Sequence, residues 1–144
     1  VANHVLVFER LANGSPRHAL AMWSKVRAVA TRTGALDDDA YADRLAALGV
    51  ACEIVDLRTL APLDVDTVCE SAARTGALVT LEEGQLACGI GAEVAYRVRE
   101  KTGTMRVARV GALPAPVSSN PVLEAASVPG PDEVVEAVRG LLRP

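Results

Sequence analysis

Two adjacent carboxylates, Glu82 and Glu83, stand a short distance before a paired-glycine turn, Gly89-Ile90-Gly91. Carboxylates at the end of a buried strand suit acid–base work, and bare glycines ahead of a helix let a phosphate reach its amides. Neither chemistry closes on these residues. Neighbours along a strand point to opposite faces, so Glu82 and Glu83 form no dyad. Their expected task is to hydrogen-bond the adjoining loop or to meet a basic partner surface. A dinucleotide turn needs a third glycine where Val94 stands, and it needs the turn directly after the strand, whereas residues 82–88 intervene. Gly89 and Gly91 therefore read as positions of close helix packing, with nucleotide binding as the alternative. His18 has a free pKa suited to proton transfer, but as a lone histidine in a loop it reads as solvated. Asp37, Asp38 and Asp39 lack the interleaved ligands and glycine of a cation loop and read as a helix start. Cys52, Cys69 and Cys88 show no C-x-x-C pairing and no nearby histidine, so they read as small buried residues in a reducing compartment. No G-x-S-x-G, Walker or H-E-x-x-H motif occurs. No catalytic, cofactor-binding or metal residue is assigned.

The elements that must carry these residues follow from composition and periodicity. The chain has 144 residues, 50% hydrophobic, with only one Phe, one Trp and two Tyr, enough for one core built from Ala, Val and Leu. Its net charge of -3 and scattered basic residues exclude a nucleic-acid-binding field. No apolar run approaches the roughly twenty residues that cross a bilayer, and Val1–Phe8 lacks the basic flank of a signal peptide. The expectation is a soluble, cytoplasmic protein. Strands are predicted at His4–Phe8, Val50–Val55, Ala77–Leu81 and Met105–Val110, with a possible edge strand at Ser24–Arg32. Helices are predicted over Ala40–Leu48, from Asp64 or Asp66 to Arg74, over Gly89–Lys101, and over Asp132–Leu142. Pro114, Pro116, Pro121, Pro129 and Pro131 mark a long connection before that last helix. Alternation of apolar strands with amphipathic helices predicts an α/β fold with a parallel sheet between helix layers.

One run of sequence resembles a known family. Glu53-Ile-Val-Asp-Leu-Arg-Thr-Leu-Ala-Pro-Leu-Asp64 is similar to the strand, turn and helix cap of transketolase-like C-terminal domains. There Asp56, Arg58, Pro62 and Asp64 would be strand-end, turn and cap residues. Arg74-Thr-Gly-Ala-Leu-Val79, Glu82-Glu83-Gly84, Gly89-Ile-Gly-Ala-Glu93, Pro121-Val-Leu-Glu124 and Pro131-Asp132-Glu133-Val-Val-Glu136 continue the resemblance in order, through residues 50–142. It is closest to the beta subunit of the decarboxylating component of 2-oxo acid dehydrogenases.

The resemblance implies a three-layer α/β/α domain with a mostly parallel sheet that serves association, without independent catalysis. In that family thiamine diphosphate and Mg²⁺ are held elsewhere, so this chain alone is expected to bind no cofactor. The implied partners are an alpha subunit or the pyrimidine-binding portion of the same enzyme, the acyltransferase core, and other copies in a homo- or hetero-oligomer. Glu82, Glu83, Asp132, Glu133 and Glu136 are the acidic residues expected at such an interface. Residues 1–24 resemble the end of the preceding pyrimidine domain and a linker, and 25–144 the C-terminal domain. One departure stands out: between Gly34 and Leu45 the family places a further parallel strand for which this chain has no room. Its loss predicts a gap or a changed edge in the sheet. The alternatives are a free-standing flavodoxin-like nucleotide binder and a degenerate remnant.

Overall fold

A computed structural model describes residues 3–10, 38–57, 59–116 and 118–143. In chain order the elements are β1 (Asn3–Arg10), α1 (Asp38–Ala47), β2 (Val50–Asp56), α2 (Val65–Thr75), β3 (Ala77–Gln85), α3 (Ile90–Thr102), β4 (Arg106–Ala112), α4 (Pro121–Ser127) and α5 (Pro131–Leu142). The predicted strand at 24–32, the domain boundary at 24/25, His18, Asp37 and Arg58 lie outside the described residues.

The strands form one sheet in the order β2-β1-β3-β4. β3 and β4 are parallel, and β1 is antiparallel to both β2 and β3. It follows that β2, β3 and β4 all run one way and β1 alone runs against them. Three of the four strands thus share one direction, in keeping with the α/β fold class, while two of the three strand pairings are antiparallel because β1 occupies the space between β2 and β3.

β3 shows why the sheet is covered on both faces. Alternate residues of a strand point to opposite sides. Val79 and Leu81 pack with Leu45 of α1 and with Val134 and Val138 of α5, while Leu78 packs with Val68 and Ala72 of α2 and with Val94 and Val98 of α3. Two apolar clusters thus flank the sheet in three layers, with α1 and α5 on one face and α2 and α3 on the other.

Local chemistry fixes the helix ends. Asp64 caps α2, accepting the Thr67 amide at 3.1 Å and the Thr67 hydroxyl at 2.7 Å. Gly76 ends α2 with φ +79°, the left-handed conformation that lets its N–H reach Ala72 O. Glu53, the charged interruption in β2, accepts from Ser71 Oγ at 2.7 Å and from Arg74 Nη2 at 2.8 Å, tying α2 to the sheet. The proline-rich connection contains a helix that periodicity does not reveal. Asn120 Oδ1 accepts from Val122 N, and Pro121 occupies the first turn, where its missing N–H is harmless. Ala61–Pro62 is a cis peptide in the β2–α2 turn.

Candidate functional site: a buried carboxylate beneath the start of α3

β3 does not stop at Leu81. It continues to Gln85, and the register against β4 slips there: Leu81 pairs with Val110, but Gln85 pairs with Ala112. The extra residues on β3 form a bulge, a device that re-aims side chains at the end of a strand. Glu82 lies in it and is 2% exposed. Of the two tasks expected of Glu82, its buried carboxylate suits the hydrogen bond to the adjoining loop.

Three features surround that carboxylate. The capping position before helix α3 is Gly89, which has no side chain with which to cap, and Glu82 Oε1 accepts the Gly91 amide at 3.3 Å instead. Arg109 of β4 donates from Nη2 to the same oxygen at 3.0 Å and to Leu86 O at 2.6 Å. The guanidinium thereby holds the turn between β3 and α3 as well as the acid. The glycines make this approach possible: a Cβ on Gly91 would collide with Thr80 Oγ1 and stand 2.7 Å from Glu82 Oε1, and one on Gly89 would collide with Glu82 Oε2 and the Gln85 carbonyl. Thr80 and Arg109 are register partners, and Thr80 Oγ1 and Arg109 Nε are buried without a hydrogen-bond partner among the described residues.

This arrangement supports anchoring rather than proton transfer or anion binding. The Gly91 amide, which a pyrophosphate would approach, already bonds a carboxylate, so a second anion would have to displace it. The same observation makes these residues a poor fit for the diphosphate of thiamine diphosphate. Among the described residues, no group of three or more His, Cys, Asp or Glu side chains is placed to hold a metal ion.

The remaining sequence candidates do not converge on Glu82. Glu83 is exposed, and Asp56 closes β2 opposite His4. Glu93 pairs with Arg97 one turn along α3, and Asp132 pairs with Arg44 of α1. Glu133 accepts the Gly130 amide at 2.9 Å in a capping arrangement, and Glu136 pairs with Arg139. Asp64 and Asp66 border an open groove of about 540 Å³ between α2 and α3, across which Lys101 pairs with Asp66. The Thr67 hydroxyl bond, followed by the Thr67 amide, holds the Asp64 carboxyl below its usual value, and the Asp66 bond raises the Lys101 ammonium. Burial raises the Cys69 thiol. Cys52 and Cys69 are half-buried, but Cys88, expected inside, is exposed at φ +57° just before α3.

Comparison with known proteins places the chain in a family. Residues 39–134 match the family described as transketolase, C-terminal domain. The chain belongs to that family. Its relatives include the mitochondrial pyruvate dehydrogenase E1 component subunit beta of Ascaris suum, 39% identical over 105 residues, covering 70% of this chain and 29% of the relative. The subunit beta of Bacillus subtilis is 36% identical over 103 residues, covering 70% of this chain and 32% of its own length. The acetoin:2,6-dichlorophenolindophenol oxidoreductase subunit beta of Cupriavidus necator is 36% identical over 102 residues, 69% and 30%. The chain matches less than a third of the length of these relatives. Within this transketolase C-terminal domain no helix among the described residues is long and apolar enough to cross a membrane.

Proposed function

We propose that this transketolase C-terminal domain is the association module of a thiamine diphosphate-dependent 2-oxo acid dehydrogenase E1 beta subunit, with cofactor and Mg²⁺ held outside it and no catalysis of its own. Its partners in this reading are an alpha subunit and the pyrimidine-binding portion of the beta subunit, with the acyltransferase core as a further contact and the cytoplasm as the setting. Family membership supports the assignment, and one structural observation carries the association role. Helix α4 buries none of its residues, and Val122, Leu123 and nearby Leu113 are 76%, 60% and 57% exposed. Together they make an apolar surface of the kind that subunit contacts cover.

The test is association in solution. An alpha subunit, co-expressed with a beta-subunit amino-terminal portion, is titrated with this chain and with its Val122→Asp/Leu123→Asp form. Binding by the first and at least tenfold weaker binding by the second supports the reading; equal binding overturns the assignment of α4. Reversing Asp132, Glu133 and Glu136 to Lys should reduce both affinity and its salt dependence if the acidic end of α5 also faces a basic partner. Nucleotide titration addresses the rival reading, which the carboxylate beneath α3 disfavours, and saturable nucleotide binding would restore it.

A further inference from the structure

The strand order holds a feature that the family assignment does not account for. β2, α2 and β3 are consecutive and make one crossover unit, yet their two strands are not neighbours. The space between them is one strand wide, and β1 passes through it in the opposite sense. Its register runs from His4 opposite Asp56 to Arg10 opposite Val50 on one side, and from Asn3 opposite Glu82 to Phe8 opposite Ala77 on the other. Among the described residues β2 pairs with no other strand of the sheet.

The remaining elements do not need β1 for their own connections. α1 leads into β2, and β2 passes through α2 to β3, then through α3 to β4. α1 packs on β2 and α5, while α5 packs on β3 and β4, so this helix layer bridges the two halves of the sheet without β1, whereas α2 on the other face packs on β1 itself. A segment that pairs on both edges with strands of another unit, through backbone hydrogen bonds, is bound as a peptide is bound in β-strand addition. Such a segment can come from the same chain or from a second copy, which is the geometry of strand exchange.

We propose that the space between β2 and β3 is a strand-acceptor site for an extended segment antiparallel to both walls, and that residues 3–10 are a separable occupant which a second copy of the chain can also supply. Tethering favours the chain's own segment, since attachment within one chain raises its effective concentration over that of a free copy. At higher protein concentrations a copy's segment competes, and two chains exchange β1 to form a dimer.

The test uses the full chain with a protease site inserted between Leu20 and Ala21, cut after folding. A labelled synthetic peptide of residues 1–12 is then added in excess. The expected result is that the cut fragment stays bound on gel filtration and is replaced saturably by labelled peptide. The same peptide carrying Leu6→Pro should not exchange, because proline removes a ladder donor. The uncut chain should take up labelled peptide at least about tenfold more weakly. Loss of the fragment with an unchanged melting temperature overturns the proposal, as does equal uptake of the Leu6→Pro peptide. Hydrogen exchange on the uncut chain gives a second reading that needs no cleavage. Amides of β1 and β2 should open together at a lower free energy than those joining β3 to β4, and equal protection throughout the sheet overturns separability.

Discussion

Glu82 shows how a residue suited to chemistry becomes a structural anchor. Its side chain is 3% exposed and that of Arg109 27%, so removing the acid strands a cation that the fold has partly desolvated. Glu82→Ala should lose about 3–5 kcal/mol in urea denaturation, and Glu82→Gln, which keeps the shape, should lose less. Gly91→Ala should lose at least about 1–3 kcal/mol, since the new methyl meets Thr80 and Glu82 with no open space. A different carboxylate, Asp64, adds an acid-sensitive contribution. The pKa of Asp64 is held below its usual 3.8 in the folded state, so its stabilising effect is present above that value and lost as pH falls through the folded value. Asn at this position still caps a helix but does not titrate. Asp64→Asn should therefore flatten the loss of melting temperature below about pH 4, and an unchanged acid slope would refute the cap as its source. The adjacency of Glu82 and Glu83 in sequence concealed their difference. The missed signal was Arg109, a charge set between Ala108 and Val110 inside an otherwise apolar stretch of strand, where it calls for a buried partner.

At the scale of elements, periodicity and capping located β2, β3, β4, α2, α3 and α5 within a few residues, because their apolar faces and end residues are local properties. Gly76 is such an end. Its φ of +79° is strained for any residue with a Cβ, and Gly76→Ala should lose about 1 kcal/mol by denaturation. Helix α4 was concealed because prolines usually interrupt, and Pro121 instead starts a helix once Asn120 supplies the cap. Its exposed apolar residues separate folding from association. Val122→Ser with Leu123→Ser should change unfolding free energy by no more than about 0.5 kcal/mol, while measurably weakening subunit binding. A large loss of stability would mean that α4 is part of the core after all.

For the whole molecule, the two clusters lie on opposite faces of one sheet and share β3. Leu45→Ala on one face and Leu78→Ala on the other should each lose about 2–5 kcal/mol, and the two losses should add. Both should shift a single cooperative transition followed by circular dichroism. A broad, non-cooperative melt of the unsubstituted chain would instead favour a degenerate remnant. The layers and the predominance of parallel strands were legible from the sequence, whereas the position of β1 was not, since nothing local to Asn3–Arg10 identifies strands that lie far along the chain. That placement also orders events during synthesis. β1 leaves the ribosome before either of its neighbours exists, and its second edge stays unpaired until the chain has been extended past Glu82. At roughly 5–20 residues per second this leaves the apolar run Val5-Leu6-Val7-Phe8 waiting for several seconds. During that interval its unpaired backbone is open to strands of other chains, a hazard that chaperones counter.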